Sequence, residues 1–204
     1  MFSTHLDRRF ALALAAAVLT ISIGVVANNH VDAATTGPQR LEVPAVALKP
    51  AVRLSQLGVI LFPLNPVPRC GMSKTSFGQP RPDGRSHLGL DIMAPLGTEI
   101  YAVENGVLWR QVVVGQPNAT LSGNSWYIRL GDGTYYFYGH LSSFAAGLTL
   151  GDTVTKGQLI GYVGDTGNPG PGNYHLHFGV FPQGGPAVDP FPLLTIPKAC
   201  SVWP

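Results

Sequence analysis

The sequence predicts an all-β domain over residues 59–204, and three features predict it. Glycine (25) and proline (18) are abundant, which favours short strands joined by turns over long helices. From about residue 60 the chain consists of short apolar runs separated by turn signals. No heptads, long helical period or internal repeat breaks that texture.

Six runs read as strands, in chain order. "EIYAV" (99–103) and "GVLWRQVVV" (106–114) come first, rich in the β-branched and aromatic residues that suit a pleated surface. "SWYIRL" (125–130) and "TYYFYGHL" (134–141) flank "GDGT" (131–134), which reads as a hairpin turn because Asp-Gly readily supplies positive φ. "LIGYVG" (159–164) follows. "YHLHFGVF" (174–181) is the most informative, because its residues alternate. Leu176 and Phe178 fall on one face of a strand and His175 and His177 on the other. The two histidine Cα atoms would then lie roughly 6–7 Å apart.

Length and charge bound the rest. The 204 residues leave room, after a leader, for one domain of ordinary size with a real core. Charged residues make up only 12%, and the formal net charge is +2. No Lys/Arg run or basic–aromatic interleaving is present, so no nucleic-acid partner is expected.

The N-terminus reads as an export signal over residues 1–27. Arg8 and Arg9 precede the uncharged stretch "FALALAAAVLTISIGVVA" (10–27). Small residues end it at Ala27, and a second cleavage-like site ends at Ala33. The stretch also reaches the lower length of a membrane-spanning helix, so an uncleaved N-terminal anchor is the alternative to secretion. Residues 28–58 read as a linker or pro-region, with one short amphipathic piece around "VRLSQLGVIL". In an exported protein the only two cysteines, Cys70 and Cys200, are expected to pair. Their disulfide would clamp the entry of the domain to its exit.

Four of the six histidines fall inside the β domain: His87, His140, His175 and His177. His87 and Asp91 form H-x-x-x-D. In a fully extended strand their Cα atoms would be about 13 Å apart, too far to share one ion, and a bend at Gly89 would bring them together. Taken alone, His87 and Asp91 read equally well as a solvated loop residue and a turn residue, and His140 as a hydrogen-bonded structural histidine. Together, two imidazoles and a carboxylate make a three-ligand set suited to zinc, with a fourth position left for water. Periodicity does not choose between His175 and His177 as the ligand.

"SFGQPRPDGRSHLGLDIMAPLGTEIYAVENGVL", "YYFYGHLSS", "GDTVTKGQLIGYVGDTGNPGPGNYHLHF" and "GGPAVDPFPLL" resemble, in order and spacing, the lysostaphin/LytM-type zinc endopeptidases over about residues 60 to 195. The resemblance implies an antiparallel β-sandwich-like domain of the duplicated hybrid motif type, with an active-site groove on one sheet. It implies hydrolysis of peptide cross-links in bacterial peptidoglycan by an exported, monomeric enzyme. It further implies that His87, Asp91 and His177 hold Zn2+, while His140 and His175 form a non-ligating catalytic pair. No H-E-x-x-H glutamate base is present, so histidine would handle the proton.

The sequence departs from the family pattern at Tyr174, where proline is usual, and at Gly179, where glutamate is frequent; both could alter the groove wall. All five functional positions are present, which favours an enzyme over a member of the same fold that only binds peptidoglycan or regulates another hydrolase. Two other readings are weaker. "VTKGQLIGYVG" looks like the hairpin of lipoyl- or biotin-carrying domains with Lys156 in view, but such a carrier has no use for four histidines. A serine hydrolase would need a G-x-S-x-G elbow, which is absent.

Overall fold

The computed structural model describes residues 57–64 and 70–204. The export signal and nearly all of the 28–58 linker lie outside the described residues. Among the described residues, no helix is long and apolar enough to cross a membrane.

Ten strands follow in chain order: β1 (Cys70–Ser73), β2 (Leu90–Met93), β3 (Glu99–Tyr101), β4 (Gly106–Val112), β5 (Asn124–Arg129), β6 (Tyr135–Phe144), β7 (Thr153–Val154), β8 (Leu159–Val163), β9 (His175–Phe181) and β10 (Cys200–Trp203). Among the described residues one α-helical turn, α1 (Ala119–Ser122), interrupts them. They form one open sheet in the order β10-β1-β2-β9-β6-β5-β4-β7, with β8 pairing both β6 and β3. Every strand pair is antiparallel except β1 with β10, which runs parallel.

The two-layered character comes from β6, which changes partners along its length. Tyr135 to Gly139 pair with β9, whereas Leu141 to Phe144 pair with β8. The sheet therefore carries β8 and β3 over its own inner face. Two hydrogen bonds cross that space: Trp126 Nε1–H donates to the Ile160 carbonyl at 3.1 Å, and the Val103 N–H donates to Tyr138 Oη at 3.0 Å. Leu90, Ile92, Leu108, Ile128, Leu176 and Phe178 fill the interior from one layer, Ile100 and Ile160 from the other. The domain is thus sandwich-like, but its layers are parts of one continuous sheet.

The Asp-Gly hairpin is where the sequence puts it. Gly133 takes φ 87°, and Asp132 Oδ1 accepts from the Thr134 N–H at 2.8 Å. Cys70 and Cys200 are disulfide-bonded, with Cα atoms 4.6 Å apart and directly opposite in the β1–β10 ladder.

Candidate metal and catalytic site

The alternation of β9 holds: Leu176 and Phe178 are completely buried, while His177 is only partly covered and faces the opposite side. Antiparallel pairing sets Asp91 of β2 directly opposite His177, so a carboxylate and an imidazole project from neighbouring strands onto one face. His87 enters from the segment before β2, held by its N–H bond to the Gln79 carbonyl at 2.9 Å. The chain bends at Gly89, closing the H-x-x-x-D spacing. The glycine is needed for space rather than for unusual φ. A Cβ there would lie 2.5 Å from His177 Nε2 and 2.6 Å from the Phe178 carbonyl oxygen.

The result is a tight triangle. His87 Nε2, Asp91 Oδ1 and His177 Nδ1 lie 2.9 Å from one another on all three sides. His87 Nδ1–H donates to the Ser76 carbonyl at 2.7 Å, so its Nε2 presents a lone pair. With both imidazoles neutral, at most one of the three converging atoms carries a proton. At least one contact then sets lone pair against lone pair, and a cation would remove that repulsion. Tetrahedral zinc with bonds of about 2.0–2.1 Å separates its ligands by roughly 3.3 Å, so the donor set fits a metal ion after a small outward adjustment.

Electrostatics agree with that use. Burial alone would raise the Asp91 carboxyl, but the His177 and His87 ring nitrogens beside it outweigh burial and hold it well below the usual carboxylate range. Burial lowers the His177 imidazole, against the opposing pull of Asp91. An ionised carboxylate beside neutral imidazole is the protonation state in which these side chains ligate metals.

Two further imidazoles flank the triangle. His140 sits where β6 switches partners and takes φ 65°, a left-handed conformation uncommon for non-glycine residues. Its Nδ1–H donates to the Thr166 carbonyl at 2.8 Å. His175 Nδ1–H donates to the Asn173 carbonyl at 2.9 Å, and its Nε2 lies 3.7 Å from Asp91 Oδ1. The His140 and His175 rings are 4.8 Å apart, and His140 is 5.9 Å from the His177 ring. In His87, His140 and His175 alike, a backbone carbonyl takes the Nδ1–H and leaves Nε2 as the ring nitrogen with the lone pair. Burial, reinforced by His175 and His177, pushes the His140 imidazole down to about 3, so the ring is neutral at physiological pH.

All five side chains line one cleft of about 460 Å³, together with Arg81, Phe137 and Asn168. Arg81 is a site residue that motif reading missed. The 81–85 turn closes through the Arg81 N–H to Arg85 carbonyl bond at 2.8 Å, and Arg81 Nη2 donates to Asp91 Oδ2 at 2.8 Å. That bond occupies the carboxylate oxygen that does not face the triangle. The Asp83-Gly84 turn is the only sequence signal for it. Tyr174 leans against the core, and neither departure from the family pattern lines the cleft itself, although Gly179 lies beside Phe137, which does. A Cβ at Gly179 would lie 2.9 Å from the Phe181 ring and 3.4 Å from Phe137 Cβ.

The class that this fold and site define is confirmed by comparison. The chain belongs to peptidase family M23, a metallopeptidase family of peptidoglycan endopeptidases, whose model matches residues 85–190. It is 32% identical over 154 residues to the L-Ala–D-Glu endopeptidase of Bacillus subtilis (strain 168), covering 68% of this chain and 44% of that protein. To lysostaphin of Staphylococcus simulans it is 33% identical over 117 residues, covering 55% of this chain and 22% of that protein. Among solved structures, Helicobacter pylori Csd3 superposes with a TM-score of 0.50 at 28% identity, covering 69% of this chain and 36% of that one. The chain thus spans less than half the length of the curated relatives it matches.

Proposed function

We propose that this domain is an exported zinc endopeptidase that hydrolyses peptide bonds in bacterial peptidoglycan. The observation that carries the reading is the convergence of His87 Nε2, Asp91 Oδ1 and His177 Nδ1 within 2.9 Å of one another, flanked in the same cleft by His140 and His175. Export is supported by the Cys70–Cys200 disulfide, which belongs in an oxidising compartment.

His87, Asp91 and His177 would hold the metal, with Ser76 and Arg81 orienting the first two from behind. When bound, zinc supplies Lewis acidity at the scissile carbonyl and makes water a better nucleophile near neutral pH. His140 Nε2, neutral and held by Thr166, accepts a proton on the cleft side. His175, its Nδ1–H tied to Asn173, stands beside it, and once its Nε2 has taken up a proton it donates a hydrogen bond to the developing oxyanion or passes that proton to the leaving amine. The backbone anchors keep both rings pointed inward before substrate arrives, so little reorganisation is needed.

Purified protein incubated with peptidoglycan sacculi should release new amino termini, stop when a zinc chelator is added, and resume when zinc is restored. Mass spectrometry of the fragments identifies the bond. A protein that binds sacculi but releases no amino termini would instead be a non-hydrolytic module of the same fold. Gly89→Ala should weaken zinc binding by about tenfold or more, because the new methyl group meets His177 and an unyielding backbone carbonyl. Unchanged zinc affinity in that variant would show that the close approach does not position the ligand.

A further inference from the structure

An aromatic surface extends from the cleft across the outer sheet face, and no part of the chemistry above uses it. Phe137, a cleft residue, lies 5.5 Å from the His177 ring on one side and 4.8 Å from the Tyr127 ring on the other. Tyr127 continues to Tyr135 at 5.9 Å and to Trp109 at 6.3 Å, and Trp109 closes onto Tyr135 at 5.6 Å. Trp109 reaches this face through a β-bulge. Leu108 pairs with Ile128 and Arg110 with Tyr127, so Trp109 is the extra residue, and it stands 44% exposed. Bulges re-aim side chains in this way next to functional sites.

Two guanidiniums complete the surface. Arg110 lies over the Tyr127 ring at 4.8 Å and Arg129 over the Trp109 ring at 5.1 Å. Both are exposed, and among the described residues neither pairs with a carboxylate. A contiguous run of one exposed and three partly exposed aromatic rings, beside guanidiniums without carboxylate partners, marks an interaction site.

We propose that this platform docks the glycan strand of peptidoglycan while its peptide lies in the metal cleft; the identity of the polymer rests on the function proposed above. Three observations favour a saccharide over a peptide. The platform is a sheet face, and its central strands β5 and β6 have their backbones committed to neighbours on both sides, so an added peptide strand would find a free edge only at the margin, on β4 beyond Val107. Aromatic rings offer flat apolar area to the C–H face of a pyranose. Guanidinium N–H groups set among the rings supply fixed donors for hydroxyl and acetamido oxygens. Gly179 is buried, with the Phe181 ring and Phe137 Cβ over the place a side chain would take, so no charged side chain enters the platform from there.

The test compares the full chain with its Trp109→Ala and Arg129→Ala variants, each first shown by thermal melt to be folded. The probes are peptide-free glycan strands, neutral N-acetylglucosamine oligomers, and a short soluble stem-peptide dimer. Both sugar probes should bind the wild type, and each variant should bind them about tenfold or more weakly while cleaving the soluble dimer at the wild-type rate. Failure of the wild type to bind either sugar probe overturns the proposal. So does loss of dimer cleavage in a folded variant, which would make the platform a peptide subsite. A wild type that binds glycan but releases no amino termini contradicts the endopeptidase reading alone, and one that cleaves but does not bind glycan contradicts the platform alone.

Discussion

Replacing His140 is expected to leave zinc in place and to lower peptidoglycan cleavage by about 10²- to 10⁴-fold, the range that a positioned acid–base group contributes. The expectation rests on geometry. His140 stands outside the triangle, its Nδ1–H tied to Thr166 and its ring 4.8 Å from His175. Because the residue has φ 65°, alanine would add backbone strain, and His140→Asn is the better variant since asparagine tolerates that conformation. His177→Ala should behave in the opposite sense, losing the metal and activity together. Metal content and turnover measured on both proteins separate the roles. Wild-type turnover in a folded His140→Asn variant would remove His140 from the chemistry.

Removing the disulfide is expected to have the largest effect on stability. Cys70 and Cys200 are 130 residues apart in sequence, and closing a loop of that size stabilises by about 4–5 kcal/mol in the chain-entropy model. Cys70→Ser with Cys200→Ser, or a reductant on the wild type, should lower Tm by on the order of 10–20 °C. The loss falls first on β10, whose only strand partner among the described residues is β1, and the half-exposed Trp203 ring should lose its packing over Gly71. A Tm change of less than about 2 °C on reduction would mean that the β1–β10 ladder holds without the bond.

The strands that the sequence discloses are those whose two faces differ. β9 is legible because Leu176 and Phe178 alternate with histidines, and the β5–β6 hairpin because Asp132-Gly133 can only be a turn. β1 and β10 escape notice: "CGMS" carries a central glycine, "CSVW" is mostly exposed, and their parallel pairing depends on contacts 130 residues apart. The five site residues can be nominated from motif spacing, but register is what sorts them. Asp91 faces His177 because β2 and β9 pair at that residue, a fact with no local trace. The same holds for Arg81, whose role depends on a turn folding back to Asp91, and for Trp109, whose exposure depends on a bulge. Gly89 could be read as a bend, yet its tight approach to His177 exists only in the folded domain.

The central claim is that His87, Asp91 and His177 form one metal site, with His140 and His175 outside it. A crystal structure of the zinc-loaded protein with anomalous scattering at the zinc edge tests it most directly. The account predicts one zinc bound by His87 Nε2, Asp91 Oδ1 and His177 Nδ1, with Arg81 still on Asp91 Oδ2. Zinc ligated by His140 or His175, or bound away from this cleft, would contradict it.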